Sequence, residues 1–101
     1  MIHMVNVSSA VSVSEAGVPV VITITVSPST LTAAGGAVVI SGTTNEPDGT
    51  SFTLNVSVNG GAYADSGLPA VPSASGAFTF TYTVPANTTT VVETYSFTAQ
   101  D

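Results

Sequence analysis

Apolar and polar side chains alternate one by one along most of the chain. Val18, Val20, Ile22, Ile24 and Val26 share one face of a segment, and Phe52, Leu54, Val56 and Val58 alternate with Thr53, Asn55 and Ser57 in another. Phe78, Phe80, Tyr82 and Val84 alternate with Thr79, Thr81 and Thr83, and "AVVISGTT" (37–44) reads as a further strand. At the front, "VNVSSAVSVS" sets Val5, Val7, Val11 and Val13 on a common face, and at the back "ETYSFTAQD" alternates around Tyr95 and Phe97. A period of two sends successive side chains to opposite faces of a strand. β-branched and aromatic residues fill these positions, as a half-buried pleated surface favours. The pattern predicts an all-β chain.

Between these segments lie "SEAGVP", "SPSTLTAAGG", "NEPDGT", "NGG" and "VPANTTT", each with Gly, Pro, Asn or Asp where the chain must reverse. "DSGLPAVPSASG" (65–76) holds two prolines and a broken pattern, so a short edge strand and a loop are expected there. About seven short strands with one apolar face each fit a two-sheet sandwich of immunoglobulin-like type. Ser and Thr would cover the solvated faces.

Four stretches, "VSPSTLTAAGGAVVISGTT", "GTSFTLNVSVNGG", "SGAFTFTYTVP" and "ETYSFTAQD", resemble the immunoglobulin-like repeats of bacterial and archaeal surface proteins, adhesins and phage appendages. The resemblance runs over residues 19 to 101. It implies a non-enzymatic structural or adhesive module, a stalk or spacer, on a cell or virion surface and hence extracellular. Its implied partners are neighbouring immunoglobulin-like domains or other copies of itself.

In immunoglobulin folds a tyrosine near the start of strand F stands two residues before an inward-facing position, and Tyr95 stands two before Phe97. "ETYSFTAQD" then reads as the penultimate strand, with strand G missing. The surplus strand 5–14 is the candidate to fill that edge. In ordinary topology, filling it in cis asks the chain to bridge about 25–30 Å for strands of this length. The link "SEAG" reaches roughly 14 Å at most. Two arrangements survive: a hairpin with residues 18–27 in a closed monomeric sandwich, or head-to-tail exchange of strand 5–14 onto the edge of strand 93–100 of the next copy. Exchange makes Val5, Val7, Val11, Val13, Tyr95 and Phe97 the assembly edge, and a heterologous contact of that kind propagates into a fibre.

Composition narrows the chemistry. The 101 residues form one domain without a single cysteine, and six acids against no Lys or Arg give a formal charge of −6. Without cations there is no phosphate neutralisation, which excludes nucleic acid and anionic lipid as partners. Schiff-base catalysis, arginine clamps and Lys–Asn isopeptide cross-links are excluded on the same ground. "MIHM" reads as a vector remnant over residues 1–4, with His3 in a disordered end and residues 5–101 as the single domain. No signal peptide is visible after it. The longest apolar run, "VPVVI", is too short to cross a bilayer, so no membrane insertion is expected.

Catalytic constellations are sparse. His3 is the sole histidine, so a Ser-His-Asp triad is not expected, nor any catalytic residue, cofactor, metal or small-molecule substrate. Glu46 and Asp48 belong to a turn of sequence "EPDG", where Asp and Gly serve the backbone. A Ca²⁺-dependent glycan-binding adhesin is the alternative, with Asn45, Glu46 and Asp48 joined by Asn87 from a loop at the same end. Calcium asks for six to eight oxygens, more than these supply. Asn-x-Ser/Thr sequons stand at Asn6, Asn55 and Asn87, the last expected in an exposed loop and so the best placed for a glycan, though no biological use of them is expected. Tyr63 is the aromatic expected at the surface, covering a sheet edge. Glu93 is expected at the mouth of its strand, as a guard against edge pairing.

Overall fold

The computed structural model of the protein describes residues 3–6, 9–13 and 19–101. Within them the chain is all β, with β1 (His3–Asn6), β2 (Ser9–Val13), β3 (Pro19–Ser27), β4 (Thr30–Leu31) and β5 (Gly36–Thr44) in its first half. β6 (Ser51–Val58), β7 (Ala64–Asp65), β8 (Val71–Pro72), β9 (Ala77–Val84) and β10 (Glu93–Gln100) follow. One sheet runs β4-β1-β10-β6-β7 with β8 also on β6, and the other runs β2-β3-β5-β9. Every pairing is antiparallel except β1 with β10. β8 falls in the stretch 65–76 expected to hold a short strand, and β7 straddles its start.

Alternation decides what lies between the sheets. Ile22, Ile24 and Val26 of β3, Val38 and Ile40 of β5, and Phe78, Phe80 and Val84 of β9 are buried from one side. Phe52 and Leu54 of β6 and Tyr95, Phe97 and Ala99 of β10 meet them from the other. The ring of Phe78 stacks on Phe52 with centroids 4.3 Å apart and planes 9° from parallel. That stack exists because Gly42, opposite Phe78 in register, leaves its inward position empty. A Cβ built on Gly42 would fall into the Phe78 ring.

Two poles follow from the registers. Gly36 pairs with Val84 and Thr43 with Ala77, so loops 32–35 and 85–92 share one pole and loops 45–50 and 73–76 the other. At the first pole Asn59 and Gly60 have φ of 53° and 75°, the positive values a type I′ turn demands, and Gly61 N–H donates to Val58 O at 3.1 Å. Asn59 also prolongs the β6–β10 ladder: its N–H donates to Thr94 O at 2.7 Å, and its Oδ1 accepts from Thr94 N–H at 2.9 Å.

The N-terminal segment departs from expectation. The single strand 5–14 is two strands in two sheets, β1 beside β10 and β2 beside β3. β2 forms the antiparallel hairpin with β3, Val11 opposite Val21 and Val13 opposite Pro19. That hairpin fixes the direction of the whole segment. A chain running into it can meet β10 only in parallel, which removes the long crossover that an antiparallel partner would need. His3 and Met4, read as part of a disordered remnant, lie in β1.

Candidate functional site

The expected assembly edge is the outer side of β10. β1 lies along it, with His3 opposite Glu93, Met4 opposite Thr94, Val5 opposite Tyr95 and Asn6 opposite Ser96. On its far side β1 is met by Leu31 and Thr30 of β4. Among the described residues, the outer edge of β10 is therefore paired from Glu93 to Ser96 and unpaired from Phe97 to Gln100. The inner edge is paired with β6 from Tyr95 to Gln100. Of the six predicted edge residues, the structure brings together Val5, Tyr95 and Phe97. Val11 and Val13 stand on the other sheet, and Val7 lies outside the described residues.

Beneath the edge sits an aromatic group. The Tyr82 ring meets Phe97 edge-on with centroids 5.3 Å apart and Tyr95 at 6.3 Å. Phe97 is fully buried and Tyr95 nearly so. Burial, then the neighbouring Glu93 carboxylate and Tyr82, push the Tyr95 phenol above its ordinary range. It is neutral at any ordinary pH and packs as a core ring. Glu93, half-buried, starts the strand where the face reaches solvent.

Glu46 and Asp48 are held as the turn reading expected. Asp48 Oδ1 accepts from Ser75 N–H at 3.0 Å, and Thr50 N–H donates to Pro47 O at 3.2 Å to close the turn. Asn45 Oδ1 accepts from Val21 N–H at 3.0 Å. Desolvation, followed by a hydrogen bond and charge from Asp101, raises the Glu46 carboxyl above the usual carboxylate range. Asn87 is not at this end. It lies at the opposite pole, buried, with its N–H on Ala33 O at 2.7 Å. Its Nδ2 donates to Val91 O at 2.8 Å, and its Oδ1 accepts from Thr89 N–H and Oγ1 at 2.9 and 2.6 Å. Both the four-residue calcium set and the expected exposure of Asn87 are thereby corrected: its amide serves as the internal brace of the 85–92 loop. Among the described residues no three acidic or histidine side chains gather as metal ligands.

One feature escaped the sequence reading. An open cleft of about 200 Å³ is lined by Leu68, Pro69, Val71, Thr79, Phe80 and Thr81. Three consecutive strand residues can line one cleft only along the strand's edge, because their side chains alternate between faces. The cleft thus marks the outer edge of β9, which pairs with β5 on its inner side. Beyond Ala77, whose backbone closes a turn with Ala74, the outer edge of β9 has no strand partner among the described residues, and it is flanked by Leu68, Pro69 and Val71, of which Leu68 and Val71 pack against the core. The available signal was the absence of any charge from 77 to 84. Tyr63 is about half exposed, at 47%. Set against family models, curated proteins and solved structures, the chain matches none.

Proposed function

We propose that this chain is an immunoglobulin-like structural module, a stalk or spacer of an extracellular or virion-surface protein, without enzymatic activity. The observation that carries the reading is the path of the chain along a long, narrow body of 50 × 22 × 20 Å. β1 begins beside Glu93 at one pole, and β10 finishes beside Thr53 near the other. Modules joined at those two points would lie in series along their long axes, as a spacer requires. The strand order β3-β5-β9 against β6-β10 supports the immunoglobulin comparison, with β10 in the place of strand F and β1, reversed, in the place of strand G. The test is small-angle scattering of two copies fused in tandem. A spacer predicts a maximum dimension close to twice that of one copy. A tandem pair no longer than one copy would refute it.

A second reading, strand exchange into a fibre, is favoured by the edge of β10. β1 covers it in four pairs, and parallel pairs are slightly weaker per residue than antiparallel ones. An N-terminal strand from a neighbour, running antiparallel, would compete for the same edge and extend over Phe97 to Gln100. A labelled peptide of residues 1–14 should then be taken up by the full chain, with an open series of oligomers as concentration rises. A chain that neither takes up the peptide nor assembles beyond a dimer excludes exchange.

A further inference from the structure

Asn59 and Gly60 follow β6 and stand in solvent, as does Gly61. The carboxamide of Asn59 is engaged there: its Oδ1 accepts from Thr94 N–H at 2.9 Å, while the Asn59 N–H donates to Thr94 O at 2.7 Å. The next group along the chain is the Gly60 N–H. Among the described residues it has no acceptor, and nothing lies within 4 Å of the place a Gly60 Cβ would take.

These groups are the two halves of one reaction. When the Gly60 amide nitrogen attacks the Asn59 carboxamide carbon, that nitrogen and the C, Cα, Cβ and Cγ of Asn59 close a five-membered ring. Nucleophile and electrophile are already joined through one residue, so no bimolecular entropy is lost. Charge in the tetrahedral adduct develops on Oδ1, where Thr94 N–H already points, as a backbone donor does in an oxyanion hole. Glycine brings no Cβ to crowd the attacking nitrogen. The other asparagines precede Val7, Glu46, Val56 and Thr88, whose side chains do crowd it. Asp48–Gly49 is the instructive comparison. There Asp48 Oδ1 also accepts a backbone N–H, that of Ser75, but the Gly49 N–H is held by Ser73 O at 2.8 Å. Of the two pairs, only Asn59–Gly60 presents a free nucleophile.

We infer that Asn59–Gly60 is a self-modifying site, where the chain's own backbone turns Asn59 into an isoaspartyl link and unlocks that end of the β6–β10 ladder. The Gly60 amide gives its proton to solvent base, the N–Cγ bond forms, and Nδ2 takes a proton from water and leaves as ammonia. Water then opens the succinimide. Addition at Cγ breaks the new bond and leaves an aspartate, which keeps an oxygen for Thr94 N–H. Addition at the main-chain carbonyl breaks its bond to the Gly60 nitrogen and routes the chain through Cβ and Cγ. That adds a methylene to the backbone of a turn built on φ of 53° and 75°, so the two bonds to Thr94 can no longer both be held. Thr94 also stands opposite Met4 of β1, and the change therefore reaches the covered edge of β10. This chemistry goes beyond the spacer reading and does not depend on it.

The test ages the full chain in warm, mildly alkaline buffer. The protein has no Lys or Arg, so chymotryptic mapping by mass spectrometry follows each asparagine, with fragmentation that separates isoaspartate from aspartate. Asn59 should convert at least tenfold faster than any other asparagine, with isoaspartate among its products. In the aged protein the Thr94 amide should exchange its hydrogen at least tenfold faster than in the fresh one. Asn59→Gly, a glycine pair that the turn accepts, should show no conversion at this position. Fresh Asn59→Asp, which keeps the acceptor, should leave Thr94 exchange within twofold of wild type. A native chain that keeps Asn59 intact overturns the inference, whether or not the urea-unfolded chain converts. So does conversion at another asparagine at an equal rate, aspartate as the sole product, or isoaspartate that leaves Thr94 exchange unchanged.

Discussion

Gly42→Ala should destabilise this protein although alanine is the better strand residue. Adding Cβ places a carbon inside van der Waals distance of three Phe78 ring atoms, the farthest at 2.6 Å against an ordinary 3.4–4 Å. The ring must move by about 1 Å to restore ordinary contact. It has little room, because its other side is already stacked on Phe52 at 4.3 Å. Overpacking of this kind costs about 1–3 kcal/mol, and weakening the aromatic stack adds up to about 1 kcal/mol. Against this, replacing glycine stiffens the unfolded chain, which stabilises by about 0.4–1 kcal/mol. The sterics win, and a net loss of about 1–3 kcal/mol is expected. Urea unfolding followed by circular dichroism reads this as a fall in midpoint of about 1 M at unchanged slope. Repeating the substitution in Phe78→Leu should at least halve its cost, because the ring is the obstacle. An unchanged or raised midpoint for Gly42→Ala, or a full cost that survives in Phe78→Leu, would refute the argument.

Asn87→Ala should lose about 1–3 kcal/mol at every pH, since it strands the buried partners of the amide. Asn87→Asp should depend on pH. A carboxylate facing the Val91 carbonyl in a buried site has a folded pKa above its unfolded value of about 3.9. Its stability is thus highest below that value and falls as pH rises through the folded pKa, which thermal melts at pH 3 and 7 will show. Glu46, raised above 4.5 by desolvation and Asp101, follows the same sign. Glu46→Gln should match the wild type at pH 3 and melt higher at pH 7. Tyr95, raised above 10.0 by burial, Glu93 and Tyr82, contributes stability that is lost as pH climbs from 10 through the folded pKa. Any deficit of Tyr95→Phe against wild type at pH 8 should shrink by pH 12 in chemical melts; a constant difference would contradict the burial of the phenol.

Strand positions were legible wherever alternation was strict. Residues 77–84 read directly, because Phe and Thr at neighbouring positions leave one choice of inward face; β6 follows its alternation at Phe52 and Leu54 but breaks it at the end, where Val58 is exposed and Ser57 is buried with its hydroxyl donating to Gly61 O at 2.6 Å. Turn chemistry was equally plain at Asn59–Gly60. The front of the chain was not legible in the same way. Val5, Val7, Val11 and Val13 keep one parity, yet parity says which residues share a face of one strand and not that the strand stays in one sheet. The change of sheet between β1 and β2 leaves no mark in the period. Asn87 failed for a related reason: "PANTTT" looks like a solvated loop, and only the three-dimensional return of the loop onto Ala33 and Val91 shows the amide turned inward.

With the strands placed, the lack of Lys and Arg takes on a sharper meaning. Edge guarding by cations is impossible here, so protection must come from strand length, acids or coverage. The β4 and β7 edges are two residues each, and β10 is covered from Glu93 to Ser96 by β1. Glu93 and Asp65 stand on that same sheet. The opposite sheet has no acid on any strand, and its β9 edge is flanked instead by Leu68, Pro69 and Val71.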